Sequence, residues 1–340
     1  MTIKIYTISD LKEWICQGRE NGLSASVISN ARALALIQNP YAEDADPAIA
    51  VTFEGEDPVG YTAVLVDMWR GKKVYYGTTG FIDASMRGKG VGTKLYAAMM
   101  NACGNNWFAT DSAPAALTIS KKTGLGIYYF DRYYLSFEHT NSIKSYLKWW
   151  HISKMNKRVY NSLNPNTRLE VLKYIDDNTY KFITDHSKSD LFQRNQAMLN
   201  WILQSPFKAC APIDLSWYSS YDFTTALPEY TIYAFRIILD NKIIGFAMCR
   251  LNMRNLDVIY LYKDEQYSNE VYASLAKHIL GQKTNRLRTF DKTFIDYYNS
   301  IGASSMNTKS RIQEVSLSVP VDTVIDPSKT IQGGDGDMFC

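Results

Sequence analysis

Glycines and basic residues stand close together in one short segment, Arg87-Gly88-Lys89-Gly90-Val91-Gly92-Thr93. Closely spaced glycines let backbone amides point into a loop without side chains in the way. A helix that follows such a loop adds the positive end of its dipole. Arg87 and Lys89 add further positive charge, so the segment is predicted to hold a phosphate-rich anion. The alternative interpretation is a strand-to-helix turn that binds nothing.

Two better-known phosphate loops do not fit the segment. A Walker A loop has Ser or Thr directly after its Gly-Lys pair, whereas Gly90 follows Lys89 here. The dinucleotide fingerprint GxGxxG has a glycine at the position of Thr93. The anion is therefore predicted to bind by a different loop pattern.

A strand and an amphipathic helix are predicted on the two sides of this loop. Val74–Asp83 follows a polar turn at Arg70–Lys73 and is predicted to be a strand. Gly90–Cys103 has helical spacing and stops at Gly104, a residue suited to the C′ position. The helix is expected to bury one face, formed by Val91, Leu95, Ala98 and Ala102.

The chain also shows a weak internal repeat. Four segments recur in the same order, with an offset of about 165–185 residues. The matched pairs are Asn30–Pro40 with Asn195–Pro206, Val59–Val66 with Ile244–Leu251, Trp107–Asp111 with Leu287–Asp291, and Lys122–Gly124 with Ser300–Gly302. We therefore predict two copies of one domain, below called the first and the second copy.

Each copy is predicted to contain a strand, two helices, three strands, a helix, a strand, a helix and closing strands. This order indicates an α/β fold, with a mixed sheet and helices on its faces. The predicted domains are residues 1–145, residues 146–318 and a C-terminal extension at 319–340. The extension contains Gly333-Gly-Asp-Gly-Asp337, has little to bury, and is expected to be flexible or draped over the surface.

The loop Arg87–Gly92 resembles the Arg/Gln-x-x-Gly-x-Gly/Ala signature of the GNAT superfamily of N-acyltransferases. The element order over residues 3–137 is similar as well. The resemblance implies an N-acetyltransferase whose co-substrate is acetyl-CoA and whose acceptor is a primary amine of a small molecule, for which an amino sugar is one candidate. It also implies a cofactor-binding set made of Phe81, Ile82, Asp83, Arg87, Gly88, Lys89, Gly90, Val91, Gly92 and Thr93. Within it the loop residues hold the pyrophosphate, and Phe81–Asp83 pairs with the pantetheine arm.

The second copy lacks this loop. Lys263–Ser268 contains no glycine, and its Asp264 and Glu265 would repel a pyrophosphate. This half resembles the degenerate copies of tandem GNAT proteins, and it is predicted to bind no CoA.

The usual proton-transfer residues of the family are not where the resemblance would place them. The strand before the loop has no carboxylate until Asp83, so Asp111 is the candidate base, with an N-cap or turn residue as the alternative. The position of the family's tyrosine acid holds Ser120, a catalytic candidate whose alternative is a helix-surface serine; the second copy has Tyr298 there. A CoA-binding or scaffolding module without turnover is therefore a competing hypothesis. A protein acetyltransferase or a partner-binding subunit is a third.

Composition limits the remaining possibilities. The chain has 340 residues, 37 Lys and Arg against 34 Asp and Glu, and 46% hydrophobic residues. Its charges are spread evenly, so no nucleic-acid partner is expected, and Lys154, Lys157 and Arg158 are interpreted as a solvated helix face. No apolar stretch is long enough to span a bilayer and no export signal is evident, so no membrane partner and a cytoplasmic location are expected.

Metal and disulfide chemistry are not expected either. The five cysteines and four histidines show neither disulfide nor zinc spacing, so no metal is predicted. The aromatic residues of Tyr128–Tyr134 and the pair Trp149–Trp150 are interpreted as packing, including packing between the copies. A tandem pair is compatible with a monomer or a homodimer.

Overall fold

The computed structural model describes residues 1–16, 23, 27–69, 71–110, 112, 114–204, 209–210, 226–227, 230–282, 284–317 and 330–335. The helices within these residues are α1 (Ile8–Cys16), α2 (Asn30–Ile37), α3 (Val91–Ala102), α4 (Pro114–Lys122), α5 (Ile143–Ser162), α6 (Asp177–His186), α7 (Gln196–Gln204), α8 (Ser268–Gly281) and α9 (Lys292–Ser300). The strands of the first half are β1 (Thr2–Thr7), β2 (Pro47–Glu54), β3 (Asp57–Trp69), β4 (Lys72–Ile82), β5 (Trp107–Thr110) and β6 (Gly126–Ser136). Those of the second half are β7 (Arg168–Leu172), β8 (Ala209–Cys210), β9 (Ala226–Leu227), β10 (Tyr230–Leu239), β11 (Lys242–Asn252), β12 (Asn255–Lys263), β13 (Arg286–Thr289) and β14 (Asn307–Leu317).

One continuous mixed sheet runs through both copies. Over the described residues its strand order is β1-β2-β3-β4-β5-β14-β6-β13-β12-β11-β10-β7. The two halves of the sheet have equivalent strand orders when each is followed from its edge to the centre. The first copy contributes β1 to β5 in this direction, and the second contributes β7, β10, β11, β12 and β13. The predicted order of elements is therefore confirmed in the first copy, and the second copy follows it with the short pair β8–β9 added before its three-strand run; α5 connects the copies.

The closing strands are exchanged between the copies. β14 belongs by sequence to the second copy, yet it pairs with β5 of the first, with Val315 opposite Thr110. In the same way β6 pairs with β13, with Leu135 opposite Leu287. β6 and β14 pair with each other along their whole length, and a buried hydrogen bond links the Arg132 guanidinium to Gln313 Oε1. The sequence predicts Gly126–Phe137 as the last strand segment of the first copy; it forms β6, but among the described residues β6 does not pair with β5 of its own copy.

The largest hydrophobic core lies between the two copies. It joins residues of α1 and α2 to residues of α6 and α7, for example Trp14 and Leu36 with Phe182 and Met198. Separate cores lie under α3 in the first copy and under α8 and α9 in the second. Because helices from both halves share one core, the two copies are expected to unfold together.

Two local predictions need correction. The buried residues of α3 are Val91, Leu95, Met99 and Met100, and Ala102 is exposed, because the long methionine side chains reach the sheet and displace the predicted alanine face. Residues 330–335 are folded into the interior, with Ile331 and Asp335 buried, so this part of the extension has much to bury.

A β-bulge occurs at the same place in both copies. The register between β3 and β4 shifts after the pair Ala63–Thr79, and the register between β11 and β12 shifts after Met248–Tyr260. The extra residues are Thr78 in the first copy and Ile259 in the second. A bulge turns a backbone carbonyl out of the ladder, where another group can reach it.

Candidate functional site

The glycine loop connects the end of β4 to the start of α3. Asp83 caps a short 3-10 turn at Ala84–Met86, because its carboxylate accepts hydrogen bonds from the amide and the hydroxyl of Ser85. These bonds hold the pKa of Asp83 below its ordinary value. The side chain of Arg87 folds back and donates from Nε to the carbonyl of Ile82 at 3.0 Å.

Two glycines in the loop adopt a backbone conformation that other residues rarely reach. Gly88 has φ +79° and Gly90, which precedes the first residue of α3, has φ +77°. A Cβ atom built on either residue meets no heavy atom within 4 Å. The glycines therefore leave open space in front of the helix as well as allowing the turn.

The amides around this space have no backbone acceptor in the part of the chain that the structure describes. Over the described residues, no backbone carbonyl accepts a hydrogen bond from the amides of Gly88, Gly90, Val91 or Gly92. The first amides of any helix lack an internal partner, and here no side chain caps them. The arrangement can bind an oxyanion, with the exposed Lys89 beside it.

A cleft opens next to the loop because β4 and β5 diverge. These strands pair only at Tyr75–Trp107 and Tyr76–Phe108 among the described residues, although β4 continues to Ile82. Beyond Tyr76 this edge of β4 is available for an extended group. The Tyr76 hydroxyl lies 3.2 Å from the Thr110 hydroxyl at the point of divergence.

The cleft brings in residues that sequence reasoning missed. Arg32 on α2 is 3% exposed, and its Nη1 donates to the hydroxyl of the bulge residue Thr78 at 3.0 Å. An arginine at a buried position of an otherwise apolar helix was the available signal. The bulge at Thr78 left no recognisable signal in the sequence.

The structure describes the position of Ser120 but not that of Asp111, the two residues predicted to be catalytic. Ser120 lies on α4 with 4% of its surface exposed, so it is not the exposed helix serine of the alternative interpretation. Its helix packs on the start of α3, where a Cβ at Gly92 would lie 3.3 Å from Ile119 Cδ1. Asp111 lies outside the described residues. Tyr298 is fully buried, and burial raises the pKa of its hydroxyl.

The second copy fills the corresponding region differently. Lys242 pairs with Asp264 at 2.9 Å, and this pairing holds the pKa of Asp264 below its ordinary value. Lys263 pairs with Glu265. The two acidic side chains between β12 and α8 are therefore each paired with a lysine of an adjacent strand.

The C-terminal segment covers the bulge of the second copy. The Gly334 amide donates to the carbonyl of the bulge residue Ile259 at 2.8 Å, and the Leu191 amide donates to the Thr330 carbonyl at 2.7 Å. A Cβ on Gly334 would lie 2.2 Å from the ring of Tyr260. Residues 330–335 thus join the α6–α7 connection to β12, and only a glycine fits against the tyrosine ring.

A buried ionic cluster connects this segment to the first copy. Arg194 pairs with Asp67 of β3, lies 3.6 Å from Asp335, and donates from Nε to the Tyr260 hydroxyl at 2.7 Å. Burial raises the pKa of Asp335 well above its ordinary value. The Oδ2 atom of Asp67 is buried and has no hydrogen-bond partner among the described residues.

Comparison with known proteins finds a family similar to the first copy. Residues 13–115 match the model of the Acetyltransferase (GNAT) family. The match covers less than a third of the chain and includes the glycine loop.

Solved structures support the fold over the whole chain. A GCN5-related N-acetyltransferase from Anabaena variabilis is similar with TM-score 0.53 and 11% identity, over 93% of this chain and 73% of that one. N-myristoyltransferase of Saccharomyces cerevisiae, solved with bound myristoyl-CoA, is similar with TM-score 0.50 and 9% identity, over 98% and 83% of the two chains. A probable N-acyltransferase from Enterococcus faecalis gives TM-score 0.50 and 8% identity, over 93% and 72%. A comparison with curated proteins gives no significant match.

Two further searches of the described residues gave no candidate. None of their helices is both long and apolar enough to cross a membrane. No group of His, Cys, Asp and Glu side chains among them is arranged to hold a metal ion.

Proposed function

We propose that the chain is an acetyl-CoA-dependent N-acetyltransferase that transfers the acetyl group to a primary amine of a small molecule, with an amino sugar as one candidate. The observation that carries the proposal is the open space at Gly88 and Gly90, surrounded by amides that have no backbone acceptor in the described part of the chain. These amides, with Arg87 and Lys89, would bind the pyrophosphate of CoA.

The remaining cofactor contacts follow from the cleft. Phe81, Ile82 and Asp83 lie at the end of β4, where this edge is available to the pantetheine arm, and Val91, Gly92 and Thr93 supply the first turn of α3. Such an arm can add to the free edge as a further strand does, through backbone hydrogen bonds. The thioester would then lie near the bulge at Thr78.

Proton transfer is assigned to Asp111 and Ser120. Asp111 would accept the proton of the amine, and Ser120 would donate a hydrogen bond to the departing thiolate from its buried position on α4, while the thiolate takes its proton from water. A simple thiol has a pKa of about 8.5, so a thiolate leaves with little assistance, and correct positioning supplies much of the rate.

The second copy would have a structural task. We assign residues 1–145 to the catalytic unit, residues 146–318 to a copy that binds no CoA, and residues 319–340 to an extension that closes the second copy. The shared core and the Arg194–Asp67 pair support a second copy that forms one wall of the acceptor groove. The enzyme would act in the cytoplasm as a monomer or homodimer.

Thermal unfolding with and without acetyl-CoA tests the site directly. At a concentration of about 100 times Kd, a ligand adds ~2.7 kcal/mol of stability. With an unfolding entropy of ~2.1 cal/mol/K per residue, this raises the Tm of a chain of this size by ~4 °C. Gly90→Ala places a methyl group in the open space and should abolish the shift.

Gly55→Ala is the matched control. Gly55 also has positive φ and open space around a Cβ, but it lies in the turn between β2 and β3. Both variants carry the same backbone strain of about 1–2 kcal/mol, so only the response to acetyl-CoA should separate them. No shift in the wild-type protein, or equal shifts in all three proteins, would remove the CoA site.

Turnover is measured separately, as thiol release with a panel of small amines. Ser120→Ala should lower kcat without changing the acetyl-CoA shift. Stabilisation by acetyl-CoA without thiol release from any amine would favour the binding or scaffolding module instead.

A further inference from the structure

The connecting helix α5 is poorly covered by the rest of the protein. Only Ile152 of its 20 residues is buried. Four large apolar side chains point outward with high exposure: Ile143 (77%), Tyr146 (48%), Leu147 (57%) and Trp150 (50%). Their spacing of i, i+3, i+4 and i+7 places them on one face, below called the α5 patch. The prediction that Trp150 serves in packing is therefore wrong.

The charge of α5 is strongly one-sided. Its sequence contains Lys144, Lys148, Lys154, Lys157 and Arg158 and no Asp or Glu. Lys154 Nζ lies 4.5 Å from the ring centroid of Trp150, so cations directly adjoin the patch. An exposed glutamate, Glu138, precedes the helix. The interpretation of these lysines as a simple solvated face does not account for the apolar side chains beside them.

The neighbouring strand β14 presents its exposed basic residues and its exposed isoleucine on opposite faces. Lys148 Nζ donates to the Met306 carbonyl at 2.9 Å, which fixes α5 beside the start of β14. Lys309 and Arg311 of β14 are exposed, and Ile312 is 63% exposed. The exposed acid opposite Ile312 is Asp131 of β6. The combination of apolar and basic side chains on one surface is therefore a feature of α5 itself, with Ile312 of β14 at its side.

We propose that α5 lies on the surface of an anionic lipid bilayer, with the α5 patch inserted at the level of the headgroups. Tryptophan, tyrosine and aliphatic side chains insert there, and lysine and arginine bind the acidic headgroups. A second copy of the chain fits less well, because two α5 helices packed together would oppose five cations with five cations. The proposal does not depend on the proposed function. It departs from the expectation of no membrane partner, which rested on the lack of a spanning segment.

Co-sedimentation of the full chain with vesicles tests the proposal. We expect binding to vesicles of 70% phosphatidylcholine and 30% phosphatidylserine, and little binding to pure phosphatidylcholine. Because each lysine near such a surface strengthens binding ~5-fold, Lys154→Glu/Lys157→Glu/Arg158→Glu should weaken it at least 100-fold. Leu147→Ser/Trp150→Ser should weaken it more than 10-fold.

Val171→Ser/Tyr174→Ser is the matched control. These residues are 71% and 66% exposed, and they lie on and just after β7 at an edge of the sheet, so this variant should bind as wild type. All variants should keep the wild-type Tm, because none removes a buried contact. Failure to bind phosphatidylserine vesicles, or unchanged binding by the α5 variants, would overturn the proposal. Binding to single-stranded RNA at physiological salt without vesicle binding would assign the surface to nucleic acid and overturn it as well.

Discussion

Replacing Arg194 by methionine should reveal how strongly the two copies are joined. The guanidinium and the Asp67 carboxylate are 1% and 0% exposed, so solvent cannot replace the lost partner. Removing one member of a buried ion pair costs about 3–5 kcal/mol, because the other charge stays buried and uncompensated. With an unfolding entropy of ~0.7 kcal/mol/K for the whole chain, the Tm should fall by about 4–7 °C.

The comparison uses thermal and urea unfolding of four proteins at pH 7. Asp67→Asn in the Arg194→Met background should restore at least ~1 kcal/mol, since the amide carries no charge. Arg168→Met is the control: its pair with Glu170 is largely exposed and should contribute about 0–1 kcal/mol. A loss below ~1 kcal/mol in Arg194→Met, or no relief by Asp67→Asn, would refute this reasoning.

Two further predictions concern the second copy. Gly334→Ala should destabilise the protein by about 1–3 kcal/mol and expose residues 330–335 to limited proteolysis, because the new Cβ meets the Tyr260 ring; an unchanged cleavage pattern would contradict this packing. Burial lowers the pKa of His278, whose Nε2 lies 2.9 Å from the Tyr233 hydroxyl. The unfolded chain then takes up a proton that the folded protein resists, so stability should fall as the pH drops below about 6.5. The measurement is the free energy of unfolding in urea at a series of pH values. His278→Asn should reduce the fall of this free energy below about pH 6.5, whereas the control His151→Asn, at an exposed histidine, should leave it unchanged.

The order of elements could be predicted from the sequence because it depends on local patterns. Gly104 with φ +59° follows the end of α3, as its position after Gly90–Cys103 predicts. The loop at Arg87–Gly92 was likewise visible, since glycine spacing is itself a local signal.

The missed features all depend on contacts between distant segments. Nothing local in Gly126–Phe137 or in β14 shows which neighbour each strand will choose, so the exchange of closing strands could not be predicted. Arg194 looks like an ordinary surface arginine until Asp67, from the other copy, is placed beside it. In the sequence alone, Gly333 and Gly334 indicate flexibility. The structure shows instead that they allow close packing, Gly333 against the backbone of Ile259 and Gly334 against the ring of Tyr260.

The exchange of β6 and β14 has a consequence for synthesis of the protein on the ribosome. Arg132 and its partner Gln313 are 181 residues apart in the chain. At roughly 5–20 residues per second, this separates their synthesis by about 9–36 s. During that interval β5 has no neighbour on one side, and β6 lacks β14. The nascent first copy therefore presents an unpaired strand edge, the feature that chaperones and neighbouring nascent chains recognise, until β14 arrives to cover it.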